Sequence, residues 1–474
     1  MESTENRRPD WTSAAGLTYS TGVTQIGNLA EKPAICRGGA VSEYPETEGR
    51  LDHRRRVVIT GIGVVAPNGI GKDAFWRALV TGQSAVDWIT SFDASKYPSQ
   101  VAAQIRDFTP TDYMPARIAK SVGRFTHLAV AASVLAVRDA DLPENLGTVH
   151  RTAALCLGTS VGGSADIGER NVRRFFAKGI PRLDPLGMLE FSGHAATSHV
   201  SQLLKLTGPA TTLASGCTTG LDVVDWGCLQ IADGRSDMAV VGASEVPVSE
   251  FIFALFAAGG FLSTWSGPPS ASSRPYDRLR SGLVLAEAAG AIILEELEHA
   301  QHRHAPIYAE VTGHGSASEG GLAGGRRAVY TQGLEIAIKA ACQAAHVRPS
   351  RIDYVNAHGN STKDDDAAET QAYKNVLGEC AFNVPVSSIK SSIGQPLSAS
   401  GILQVAATAL SLRDQPLPPT LNLDYPDPEC DLDYVPNRAR AARVRTALVH
   451  AHSLGGRVPG THTALILSNP TRDN

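Results

Sequence analysis

A chain of 474 residues that is 43% hydrophobic and 19% charged is too long for one ordinary core and too apolar for a largely disordered chain. Its net charge of -4 supplies no global basic field for nucleic acid or an anionic membrane, so neither is expected as a partner. The seven cysteines are odd in number, scattered and without a C-x-x-C pair, which points to free thiols in a reducing compartment and to no metal framework.

Residues 1–53 read as a polar, Gly-rich, aperiodic extension, expected to be poorly ordered. No apolar run follows Arg7 and Arg8, so no signal peptide is read. No stretch approaches the roughly 18 apolar residues of a membrane helix, and the expectation is a cytoplasmic protein. Folded structure is predicted to begin after the cluster Arg54, Arg55 and Arg56. Continuous apolar runs at 57–65, 153–158, 237–244 and 289–296 alternate with Ala-rich helical stretches, the pattern of a buried α/β sheet. After a charged, His-rich segment the pattern starts again at 307–315, 352–359 and 445–456. Two similar halves are therefore predicted, 54–305 and 306–468, with a site at their junction.

Cys217 lies in Ala214-Ser215-Gly216-Cys217-Thr218-Thr219-Gly220, after a short β-like run and before a helical stretch ending at Gly234. A lone cysteine is more often a small buried hydrophobe. At a helix N-terminus, however, unpaired N–H groups and the helix dipole favour the thiolate. His358, in Asn356-Ala357-His358-Gly359-Asn360-Ser361-Thr362, stands at a predicted strand end, where α/β sites gather. It could act as a general base or as a hydrogen-bond donor. Most of the other histidines, His302 and His304 included, read as solvated surface.

The order ASGCTTG, SRPYDRLRSGLVLAEAAG, NAHGNSTKDDDAAE and SSIKSSIGQPLSASG resembles that of β-ketoacyl-acyl-carrier-protein synthases, the thiolase-fold ketosynthases. The opening RRVVITGIGVVAPNGIGKDAFW adds to the likeness, and PPTLNLDYPDPECDLDYVP resembles type II polyketide synthase catalytic (alpha) subunits. The resemblance spans about residues 54–468. It implies an α/β thiolase-like fold of two βαβ-rich halves in an α-β-α-β-α core. It also implies Cys217 as acyl-carrying nucleophile, His358 as active-site histidine and Lys390 as the motif lysine, with Asp366, Glu369, Thr362 and Asn360 in support. The oxyanion and gate positions fall on Leu454 and Gly455, Leu454 standing where Phe is usual.

Departures accompany the likeness. Gln395 replaces the second histidine, Gln404 replaces the glutamate nine residues on, and Asn360 stands where Thr or Ser is usual. An amide can donate a hydrogen bond but cannot titrate. The resemblance implies acyl transfer from the phosphopantetheine of an acyl carrier protein to Cys217, then condensation with a malonyl-type extender, with no further cofactor. Ester or amide formation without decarboxylation is the alternative, and a chain-length-factor-like partner subunit a third reading. A homodimer, or a heterodimer with a second ketosynthase-like subunit, is implied. Two other motifs are set aside. Gly158-Thr159-Ser160-Val161-Gly162 matches a hydrolase nucleophile elbow, but ketosynthases carry a Gly-rich turn there. Gly61-Ile62-Gly63 begins a dinucleotide fingerprint, but Pro67 would break the helix it needs.

Overall fold

The computed structural model describes residues 55–453 and 459–470. The extension predicted over 1–53 and the positions Leu454 and Gly455 lie outside the described residues. Ten strands carry the architecture: β1 (Val57–Ala66), β2 (Ala154–Gly158), β3 (Ala210–Leu213), β4 (Met238–Glu245), β5 (Ala288–Glu296), β6 (Ala309–Ser318), β7 (Tyr354–Asn356), β8 (Val386–Ser387), β9 (Thr446–His452) and β10 (Thr461–Ser468). β1, β4 and β5 are buried along their whole length, as continuous apolar runs require.

Within β1–β5 the spatial order is β3-β2-β4-β5-β1, and within β6–β10 it is β8-β7-β9-β10-β6. Each set therefore runs third, second, fourth, fifth, first. Each has two parallel pairings followed by two antiparallel ones. The sets meet through β1 and β6 over only Val58↔Glu310 and Ile59↔Ala309. The duplication is thus explicit in topology.

Six helices follow the same plan: α1 (Arg124–Asp139), α2 (His194–Leu204) and α3 (Thr219–Ala232) in the first half, α4 (Arg326–Ala344), α5 (Lys363–Leu377) and α6 (Ala399–Asp414) in the second. α3 and α6 pack on each other and on both strand sets, while α1 with α2 and α4 with α5 cover the outer faces. This is the α-β-α-β-α layering that the family resemblance implies. α6 is buried from Ala399 to Leu412, as a helix apolar on every side must be. The two central helices touch at glycine: a Cβ on Gly220 would lie 2.4 Å from the Ile402 nitrogen.

Glycine pairs repeat too. A Cβ on Gly61 or Gly63 would strike the carbonyls of Ala136 and Ala132 on α1, and one on Gly313 or Gly315 those of Ala341 and Ala337 on α4. Gly61-Ile62-Gly63 therefore serves strand-to-helix packing, with its counterpart in the second half.

Candidate active site

β3 ends at Leu213, and the chain turns through Gly216, whose φ of 71° lies in the left-handed region that favours glycine. The turn Gly216–Thr218 runs directly into α3, which places Cys217, 2% exposed, just ahead of the helix's unpaired N–H groups. The Thr219 hydroxyl fixes the turn by accepting the Ser215 N–H at 2.8 Å and donating to the Gly216 carbonyl at 2.7 Å. Gln395 Nε2 donates to Cys217 Sγ at 3.4 Å. The main chain of Gln395 is itself clamped, its N–H on Val284 O at 2.7 Å and its carbonyl taking the Ala286 N–H at 3.1 Å. Its Oε1 is buried without a partner.

His358 follows the end of β7 and is fully buried. Its Nδ1 accepts the His452 backbone N–H at 3.2 Å, which leaves the ring proton on Nε2. Burial, helped by Lys390 and His450, drives its pKa well below the ordinary value, so the ring is a neutral donor at neutral pH. Of the two roles open in the sequence, the geometry favours donor over base. Lys390 Nζ donates to the His358 carbonyl at 2.5 Å and to Gln404 Oε1 at 3.3 Å. Burial lowers this lysine to about 8 against the opposing pull of Glu369, Cys217 and Asp366. Gln404 Nε2 donates to the carbonyls of Ala357 and His450, each at 2.9 Å, and to that of Asn356 at 3.2 Å. A carboxylate here would turn an oxygen toward three carbonyl oxygens.

The supporting positions come together beneath His358. Glu369 accepts the N–H groups of His358 and Gly359 at 2.7 and 2.9 Å and the hydroxyls of Tyr373 and Tyr276 at 2.6 and 3.0 Å. Burial alone would raise its pKa, but these bonds and His450 hold it at about 2. Asp366 accepts the N–H groups of Tyr276 and Asn360, and burial pushes it up to about 7 against nearby Arg280. Asn360 is a loop-shaping residue: its Oδ1 takes the N–H and hydroxyl of Thr362, and its Nδ2 donates to Asp365. The described Ser453, next in the chain before Leu454, lies against the cysteine loop, its Cβ 3.0 Å from where a Cβ on Gly216 would stand.

The reading of most histidines as solvated holds for the exposed His302 and His304 but fails for three others. His450, His452 and His462 are no more than 1% exposed. One signal in the sequence bears on them: His450 and His452 sit two apart in an apolar strand, hence on one face; the pairing of His462 with His452 across the ladder emerges only in the fold. Glu319, Tyr276 and Tyr373 had no local signal. In the Gly158–Gly162 turn, the backbone N–H groups of Ser160 and Val161 and the Thr159 hydroxyl bind Glu245, giving that turn a structural use.

The comparisons with known proteins agree with this fold. The beta-ketoacyl synthase N-terminal domain matches residues 54–300 and its C-terminal domain 308–424. The tetracenomycin polyketide synthase ketoacyl synthase alpha subunit of Streptomyces glaucescens is 40% identical over 430 residues, covering 88% of this chain and 97% of that one. The 3-oxoacyl-acyl-carrier-protein synthase 2 of Coxiella burnetii is 36% identical over 415 residues, covering 88% and 99%. Among solved structures, the ishigamide ketosynthase/chain length factor superposes with a TM-score of 0.79 at 32% identity, covering 88% and 99%. A type II polyketide ketosynthase in complex with its acyl-carrier protein does so with 0.79 at 30%, with the same coverage. A doubled five-strand topology, a cysteine at the head of a central helix and two matching domains that fill most of the chain place this protein in the beta-ketoacyl synthase family.

Proposed function

We propose that this protein is a decarboxylating condensing enzyme of polyketide or fatty-acid-like biosynthesis, working on acyl groups carried by the phosphopantetheine of an acyl carrier protein. The observation that carries the reading is the amide of Gln395 on the sulfur of Cys217 at 3.4 Å, a neutral donor where the reacting thioester would form. In the first half-reaction the Cys217 sulfur attacks the acyl thioester carbonyl and the carrier thiol leaves. In the second, a malonyl thioester loses carbon dioxide, its enolate carbon attacks the Cys217 thioester, and the cysteine sulfur is released. Gln395 Nε2–H and His358 Nε2–H are the donors for the enolate oxygen, in a buried site where such bonds count most. Lys390 and Glu369 are positioning residues, acting through the His358 carbonyl and N–H.

Carrier protein and a second ketosynthase-like subunit are the partners we assign, since relatives of this size and fold are described with both. Among the described residues no helix is long and apolar enough to cross a membrane. The retained Cys217 sets the chain apart from a partner subunit without catalysis. Intact-mass analysis after exposure to an acyl thioester should show one adduct, absent in Cys217→Ala and unchanged in Ser160→Ala. An adduct that persists without Cys217 would remove the basis of this reading.

A further inference from the structure

From Glu369, beneath the site, runs a buried chain of imidazoles ending on a second acid, and its members beyond Glu369 supply no side chain to the condensing chemistry. Glu369 meets His450 Nδ1 at 3.1 Å, His450 Nε2 meets His462 Nδ1 at 3.4 Å, and His462 Nε2 meets Glu319 Oε1 at 3.0 Å. His452 Nε2 reaches the same Glu319 oxygen at 3.1 Å, and Glu319 Oε2 accepts the Gly460 N–H at 2.7 Å.

Two imidazole nitrogens, one from His452 and one from His462, converge on one Glu319 oxygen, and the three ligand atoms lie within 4.8 Å of one another. Two buried polar atoms at this place lack partners: His452 Nδ1, and the hydroxyl of Tyr330, whose ring lies 4.2 Å from that of His452 and 4.7 Å from that of His462.

We propose that Glu319, His452 and His462 form a binding site for a borderline divalent cation of the zinc class. Two imidazoles with one carboxylate are a ligand set that zinc accepts, and a tetrahedral ion bound at about 2.0–2.1 Å has ligand–ligand edges of about 3.3–3.4 Å, a few tenths of an ångström beyond the two imidazole–carboxylate spacings of 3.0 and 3.1 Å. Both imidazoles would bind through Nε2 as neutral rings, with His462 Nδ1–H directed to His450 and, beyond it, Glu369. The ion would tie the end of β9 to the start of β10 and so hold the His452 N–H that fixes His358. No ligand spacing in the sequence signals this, since Glu319 lies 133 positions from His452 and 143 from His462.

The test is titration of chelator-stripped protein with Co²⁺ and Zn²⁺, followed by visible absorption and calorimetry. One equivalent is expected, with the visible bands of tetrahedral cobalt, and binding weakened at least tenfold in both Glu319→Gln and His462→Gln. Formation of the Cys217 acyl adduct in each variant serves as the check of folding and reads the condensing proposal separately. Should a variant fail to fold, X-ray absorption of the zinc-loaded wild type should show two imidazoles at about 2.0–2.1 Å. No stoichiometric uptake by wild type, uptake unchanged in both folded variants, or absorption without two imidazoles would leave a protonated relay only and overturn the proposal.

Discussion

The turn after the second strand of each half makes the most informative comparison in the molecule. In the first half, Gly158–Gly162 closes on Glu245, which takes two backbone N–H groups and the hydroxyls of Thr159 and Ser398. In the second, Ala357–Thr362 closes on Glu369, which also takes two backbone N–H groups but adds His450 and two tyrosine hydroxyls. Both carboxyls are fully buried, yet burial wins at Glu245 and raises its pKa, whereas at Glu369 the bonds win and hold it at about 2. The duplicated scaffold therefore offers two similar turns, and the direction in which the acid beneath is shifted separates the structural one from the one that aims a histidine.

Replacing each acid by its amide should break this comparison, with the larger effect at Glu369. Glu369→Gln removes a charge that five groups face. A shift from 4.5 to about 2 corresponds to about 3 kcal/mol, since one pKa unit is about 1.4 kcal/mol. A folded-state pKa held down means stability present above about 4.5 and lost as pH falls toward 2. Denaturant midpoints of wild type and Glu369→Gln should therefore differ most at neutral pH and converge in acid. Equal midpoints at neutral pH would contradict an ionised Glu369.

Glu245→Gln should cost less than Glu369→Gln, because burial raises the Glu245 pKa and so works against its charged form, where at Glu369 the bonds favour it. Here the sign reverses. A folded pKa raised above the unfolded value means stability fully present below about 4.5 and lost as pH rises through the folded pKa. The variant should lack that decline, so its midpoint should gain on that of wild type as pH rises. A variant that loses ground over the same range would show Glu245 ionised.

The sequence carried much of this arrangement through local signals. Continuous apolar runs marked strands that are buried on both faces, and the restart of the pattern near residue 307 marked the second half. The glycine-flanked Cys217 and the strand-end His358 stood out by their turns. What escaped was set by contacts far apart in the chain. Glu319, His450, His452 and His462 look like loop or strand residues singly and become a cluster only when β9 and β10 pair. The gate positions Leu454 and Gly455 lie outside the described residues, so the resemblance alone speaks for them. Gln404 was visible as a substitution, but its role was not, because the three carbonyls it serves converge only in the fold.

The central claim is that the Gln395 amide takes the place of a second histidine in a decarboxylating site. It is tested most directly by carbon dioxide release from malonyl-carrier protein, measured side by side for wild type, Gln395→Ala and Gln395→His. Wild type should release carbon dioxide. Gln395→Ala should release it about 10²–10³ more slowly, the cost of one oxyanion-type donor, while its Cys217 acylation stays largely intact. No release by wild type, with release gained in Gln395→His, would contradict the account and assign the acyl-enzyme to ester or amide formation instead.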